Sequence, residues 1–245
     1  PQRGDGIVHT AVSSRVGRRA DEQEVVVHHD PPAHEMTRVH FGLLHLGRVH
    51  EHDLCVAAPR HRDRLPAADC DILRDALDAH GARVVIEVGL AYGSSALAIG
   101  EALCSTGRRD VCHIVIDPFQ ATAFDNVGWD ALTAAELADH TTLISEPSSI
   151  ALARLAADGF TADAAFVDGS HRFHEVFVDL YFLRRLVRPG GLIILDDAAC
   201  PSVAAALRYF DFNLGWRPVA IAGRLTARRI PDEPFEPEFT DFKPF

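Results

Sequence analysis

From position 66 onward, apolar and polar residues fall into blocks whose period switches repeatedly along the chain. Short, near-continuous apolar runs stand at 83–88 (RVVIEV), 111–117 (VCHIVID), 141–145 (TTLIS), 164–167 (AAFV) and 191–197 (GLIILDD). Runs of this length bounded by turn-forming residues predict strands buried on both faces. Between them, apolar residues recur at helical spacing over 66–81, 94–103, 129–140, 148–159, 174–187 and 202–214, which predicts amphipathic helices. Gly81 ends the first of these as a helix terminator. The stretch 218–230 (PVAIAG, then RLTARRI) predicts two last strands. Alternation of this kind builds βαβ units, hence an α/β fold with a mostly parallel, seven-stranded sheet flanked by helices. Residues 1–65 show only weak periodicity and carry several His and Arg residues, with Pro31-Pro32 as punctuation. They read as an irregular N-terminal extension, with a lid over a binding pocket as one role, ahead of a single domain at 66–245.

Two of the strand runs stop at carboxylates. AAFV leads into Asp168, and LIIL into Asp196 and Asp197. In open parallel sheets ligands bind beyond the carboxyl ends of the strands, so these acids are expected in one crevice with His171 beside them. Carboxylates brought together repel unless a cation or shared protons intervene, and a hard divalent ion such as Mg²⁺ suits oxygen ligands. The same residues also suit plainer roles. Asp168 can serve the turn before Gly169, Asp196 or Asp197 can cap the helix at 202–214, and His171 can be a loop histidine.

The first strand runs into Gly89-Leu-Ala-Tyr-Gly93-Ser-Ser and then a helix. Glycines at 89 and 93 allow a tight turn and close approach of a ligand to the backbone, and the helix start offers free N–H groups. The spacing is GxxxG, so the GxGxxG dinucleotide fingerprint fails. Glu87 near the strand end fits a cationic ligand group better than a pyrophosphate. Asp117 ends the next strand, where an acid commonly accepts ribose hydroxyls. A cationic amino group plus a ribose points to S-adenosylmethionine.

Composition narrows the partners. The formal net charge is −11, which disfavours nucleic acid or an anionic membrane as the main partner. No apolar run approaches membrane-spanning length and no secretory signal is legible, so a cytoplasmic location is expected. The five cysteines lack CxxC spacing and read as reduced thiols. The histidines at 28–61 lack a compact metal-ligand pair and do not read as a zinc site. Lys243 is the single lysine, which excludes a catalytic lysine inside the fold.

The segments IEVGLAYGSSALAI, VIDPFQ and AAFVDGSHRFHEVFVDLYFLRRLVRPGGLIILDD resemble class I S-adenosylmethionine-dependent methyltransferases. The likeness is to the branch of bacterial O-methyltransferases of sugars and natural products, related to the metal-dependent catechol and caffeoyl-CoA O-methyltransferases, and it spans about 66–215. It implies a cofactor site of Glu87, Gly89, Tyr92, Gly93, Ser94, Asp117, Phe119 and Asp168, and metal ligands Asp168, Asp196 and Asp197. His171 stands where relatives carry a basic residue, and an unperturbed pKa near neutrality suits a general base. Asp168 and His171 are therefore the expected catalytic pair, acting on a small-molecule hydroxyl with Mg²⁺ assistance. A methyltransferase-fold protein with a lyase-like, pericyclase-like or scaffold role is the alternative, and homo-oligomer formation stays open.

Overall fold

A computed structural model of the chain describes residues 64–105, 107 and 110–245. The extension expected at 1–65, with its histidines, lies almost wholly outside them. The described elements alternate as the apolar pattern predicts. They are α1 (Ala67–His80), β1 (Val84–Val88), α2 (Ser94–Cys104), β2 (Cys112–Ile116), α3 (Gln120–Ala123), α4 (Val127–Ala134), β3 (Thr141–Ile144), α5 (Ser148–Ala157), β4 (Ala162–Val167), α6 (Phe173–Leu186), β5 (Val187–Leu195), α7 (Pro201–Leu214), β6 (Arg217–Val219) and β7 (Thr226–Arg229). One seven-stranded sheet runs in the order β3-β2-β1-β4-β5-β7-β6. The five strands from β3 to β5 pair in parallel, and β7 and β6 close the edge antiparallel.

The order reverses between β1 and β4, which is where a doubly wound sheet opens a ligand crevice. The central strands bury both faces. Val85, Ile86, Phe166, Ile193 and Ile194 are all inaccessible to solvent. Apolar burial on this scale, at roughly 25 cal/mol per Å², is the main force holding the sheet between its helices. Gly81 does end α1. It sits at φ 68° and donates back to the Asp78 and Leu77 carbonyls.

Two boundaries differ from the sequence reading. β5 begins at Val187, directly after α6, and takes in the Arg-Pro-Gly-Gly stretch that reads as a turn. Outside pairing draws that stretch into the sheet: Arg188 binds Asp163, and the Gly190 amide reaches the Ile230 carbonyl. The helix expected over 129–140 stops at Ala134 because Glu136 takes a positive φ of 59°, and the chain resumes as a short 3₁₀ turn at Ala138–His140. Among the described residues no helix is long and apolar enough to cross a membrane. The described cysteines, Cys70, Cys104, Cys112 and Cys200, are unpaired.

Candidate active site

The β1–α2 turn carries the first half of the site. Gly89 and Gly93 lie at φ 96° and 82°, and Ala91 between them is also left-handed at φ 44°. Only glycine fits the first position. A Cβ there would run into the Asp168 carbonyl, and one at Gly93 would stand 3.0 Å from the Gly128 backbone. The turn is therefore seated directly on the end of β4. Gly89→Ala is expected to cost on the order of 3 kcal/mol through strain and overlap and to weaken ligand binding at the turn. Gly81→Ala, whose Cβ meets nothing within 4 Å, is expected to cost only about 1 kcal/mol. Urea unfolding of the two variants checks the contrast.

Asp117 clamps this turn from the end of β2. Its Oδ2 accepts from the Leu90 and Ala91 amides and from Gln120 Nε2, each at 3.0 Å, and its Oδ1 accepts from the Phe119 amide at 2.7 Å. A carboxylate offers about four lone-pair sites, so Oδ1 retains capacity for one further donor such as a ribose hydroxyl. Phe119 is half-buried beside it, and Tyr92 meets Phe124 edge-on at 5.4 Å. Ser94 accepts from the Leu65 amide at 3.2 Å.

Glu87 is placed differently from the sequence reading. It is wholly buried and presents no carboxylate to the crevice. Its Oε1 accepts from Ser95 Oγ at 2.5 Å, and its Oε2 lies 2.9 Å from His113 Nε2. In this structure Glu87 supports the turn from beneath.

The second half of the site is the pair of strand ends β4 and β5. Asp168 and Asp197 converge on His171, whose Nε2 stands 3.0 Å from Asp197 Oδ2 and 3.8 Å from Asp168 Oδ1. One ligand atom from each of the three lies within 4.8 Å of the others. Ser202 at the start of α7 steadies this loop by donating to the His171 carbonyl at 2.5 Å. Burial, reinforced by the neighbouring Asp196 and Asp197 charges, pushes the Asp168 carboxyl up to about 8. The cluster is thus short of positive charge. A cavity of about 10 Å³ opens among Asp168, His171 and Asp196, about the room of one water-sized sphere.

Asp196 does not join the Asp168–His171–Asp197 group. Its Oδ1 accepts the Asp197 amide at 2.7 Å, and its Oδ2 meets Arg224 Nη2 at 2.5 Å. Both acids lie past the end of β5, and Asp197, beside His171, takes a left-handed φ of 52°. Arg224 also reaches Asp69 at 3.5 Å. It holds the Asp196 charge, and the sequence reading missed it because it arrives from the far β6–β7 loop. Burial nevertheless pushes the Asp196 carboxyl up, with Arg224 opposing.

A Rossmann-like sheet with a glycine turn after β1, an acid after β2 and acids at the ends of β4 and β5 is the architecture of a methyltransferase. Residues 86–198 match a family model described as a methyltransferase domain. No curated protein sequence matches the chain. Among solved structures, an O-methyltransferase from Bacillus cereus in complex with SAH shares 15% identity over 69% of this chain and 83% of its own, with a TM-score of 0.56. TomG from Streptomyces achromogenes, an O-methyltransferase involved in tomaymycin synthesis and solved in complex with SAM, shares 16% identity over 69% and 82%, with a TM-score of 0.53. At these identities the structural likeness speaks for the fold. Residues 86–198 are thus similar to a methyltransferase domain, and the fold is that of the S-adenosylmethionine-dependent O-methyltransferases.

Proposed function

We propose that this protein methylates a hydroxyl oxygen on a small-molecule acceptor, with a divalent cation held at the acidic strand ends. The observation that carries the reading is adjacency. The glycine turn rests on the Asp168 backbone, so the cofactor loop and the Asp168–His171–Asp197 cluster share one wall. The donor set fits a hard divalent ion, since Mg²⁺ is commonly bound by one or two carboxylates and completes its shell with water and substrate oxygens. Asp168 and Asp197 would hold the ion, while Asp196 stays with Arg224.

S-Adenosylmethionine supplies an electrophilic methyl group, and a bound divalent ion supplies charge that eases loss of the acceptor hydroxyl proton. The chain's own residues supply position and proton transfer. Gly89 and Gly93 leave room for the cofactor against the turn, Asp117 Oδ1 offers an acceptor to its ribose, and Phe119 offers a flat apolar face. Tyr92 and Ser94 flank the same turn. His171 is the candidate base through Nδ1, because Nε2 is turned to the Asp197 carboxylate. The Asp197 carboxylate, 3.0 Å away, stabilises the imidazolium formed when His171 takes the proton. Bound at this turn, the cofactor would give its methyl group to the acceptor oxygen and leave as neutral S-adenosylhomocysteine.

The test uses purified protein, labelled cofactor and a panel of phenolic, catecholic and sugar acceptors. Chelation with EDTA is expected to lower transfer by at least about 100-fold while cofactor affinity by calorimetry stays within about twofold, and added Mg²⁺ or Mn²⁺ is expected to restore activity. Transfer that survives full chelation removes the metal from the reading, and cofactor binding without a methylated product across the panel removes O-transfer to these acceptors.

A further inference from the structure

Beneath the glycine turn lies a buried polar triad whose outer member has no role in the reading above. Glu87 on β1 and His113 on β2 are 0% and 1% exposed. In the parallel register Glu87 pairs with Val115 and His113 with Val85, so the two are diagonal neighbours on one face of the sheet. Ser95, in the first turn of α2, completes the set through its 2.5 Å bond to Glu87 Oε1.

Such a placement is costly. His113 Nδ1 has no hydrogen-bond partner, and the 2.9 Å approach of Nε2 to Glu87 Oε2, although close, is poorly aligned for a hydrogen bond. Buried polar atoms left unpaired lose their hydration without full return. A close-packed apolar pair would hold this part of the sheet as well or better, because a buried polar pair is often no more stabilising than the hydrophobic residues that could replace it. The location gives the cost a use. α2 begins at Gly93 with no side-chain cap of its own. Its first turn is fixed from below by Ser95 on Glu87, while Asp117 fixes the preceding turn from the side. β2 therefore carries both anchors, Asp117 touching the turn directly and His113 acting through Glu87.

We propose that His113 is a positioning residue for the cofactor: it sets the orientation of Glu87, which through Ser95 holds the α2 N-terminus in its ligand-binding geometry. The proposal rests on the reading of this turn as the cofactor site. His113 does not touch the cofactor; it lowers the cost of ordering the site before binding, as preorganisation does.

The experiment measures S-adenosylhomocysteine binding by calorimetry, urea unfolding, and the split between cofactor KM and kcat. His113→Leu leaves the Glu87 carboxylate without its partner, and both stability and cofactor affinity are expected to fall. The double variant Glu87→Met/His113→Leu removes the pair as a unit. Its unfolding midpoint is expected to return toward the wild-type value, while cofactor Kd and KM stay raised by about tenfold or more, with kcat at saturating cofactor kept. His113→Gln, which retains an N–H donor, is expected to rescue affinity. Ser95→Ala, which does not disturb helix propensity, is expected to raise Kd in the same direction. Wild-type affinity in the stable double variant, or in Ser95→Ala, overturns the positioning role. Absence of binding to the wild-type protein instead overturns the reading of the cofactor site, and the inference with it.

Discussion

Asp168→Asn is expected to lower turnover by about 10²- to 10⁴-fold with cofactor affinity nearly unchanged. Asp168 carries more of the proposed chemistry than any other side chain: it is one of two carboxylates facing His171 across the cluster, and it forms the wall on which the glycine turn rests. The amide keeps the size and planarity of the carboxyl, so the backbone contact with the turn persists. What disappears is the negative charge that would hold a cation and complement the His171 imidazolium. Stability gives an internal control. Asp168 is raised to about 8 by burial and by its acidic neighbours, so near neutral pH the folded protein must protonate a group that the unfolded chain leaves ionised, a penalty that asparagine does not carry. The variant is therefore expected to unfold at the same urea concentration as wild type or a higher one near neutral pH. Single-turnover transfer, calorimetric cofactor binding and unfolding are the three measurements. Wild-type turnover in a folded Asp168→Asn protein would remove the carboxylate from the mechanism.

The fold was largely legible because its signals are local. The strands of a doubly wound sheet are continuous apolar runs, and the helices between them repeat at their own period. Where the reading slipped, distant partners decided the outcome. Arg188-Pro-Gly-Gly looks like a turn, yet Asp163 and Ile230 pull it into β5.

The site was legible as a set of strand ends but not in its division of labour. Asp196 and Asp197 both lie past the end of β5, and what divides them is their partners, Arg224 for the first and His171 for the second. Arg224 comes from a distant loop, and no local motif ties it to the end of β5. Glu87 shows the same limit in another form. Its place near the first strand end suggested a ligand contact, but burial depends on register, and register brings His113 beside it. A motif places a residue near the cofactor. Whether the side chain meets the ligand or the core beneath it is set by pairing across the sheet.

Away from the crevice, Asp179→Asn is expected to stabilise the protein by up to about 4 kcal/mol above pH 7 and by almost nothing near pH 4. α6 turns Val176, Leu180 and Leu183 into the core, and Asp179 goes in with them at 2% exposure. Its Oδ1 has no partner. Burial pushes the carboxyl up to about 7, and Glu175 adds to the rise while a hydrogen bond from Ser148 opposes it. In the unfolded chain the same group titrates near 3.9. Below that value both states are protonated and the group contributes no pH dependence. Between about 4 and 7 the folded state keeps a proton that the unfolded state has released, so stability falls as pH rises. Above 7 both states are ionised and the penalty is constant, roughly three pK units at 1.36 kcal/mol each. Asparagine stays neutral throughout and removes the penalty, although one polar atom remains poorly paired, so the gain falls somewhat short of the full figure. Urea unfolding of wild type and variant at pH 4.5 and pH 8 separates the effects. A gain confined to the higher pH is the expected pattern, and equal stability at pH 8 would show that burial does not raise the Asp179 carboxyl. Asp168, raised to about 8, adds a similar slope of its own, so in Asp168→Asn the loss of stability between pH 4 and 7 is expected to be reduced but not abolished, the remainder belonging to Asp179 on its helix face outside the crevice.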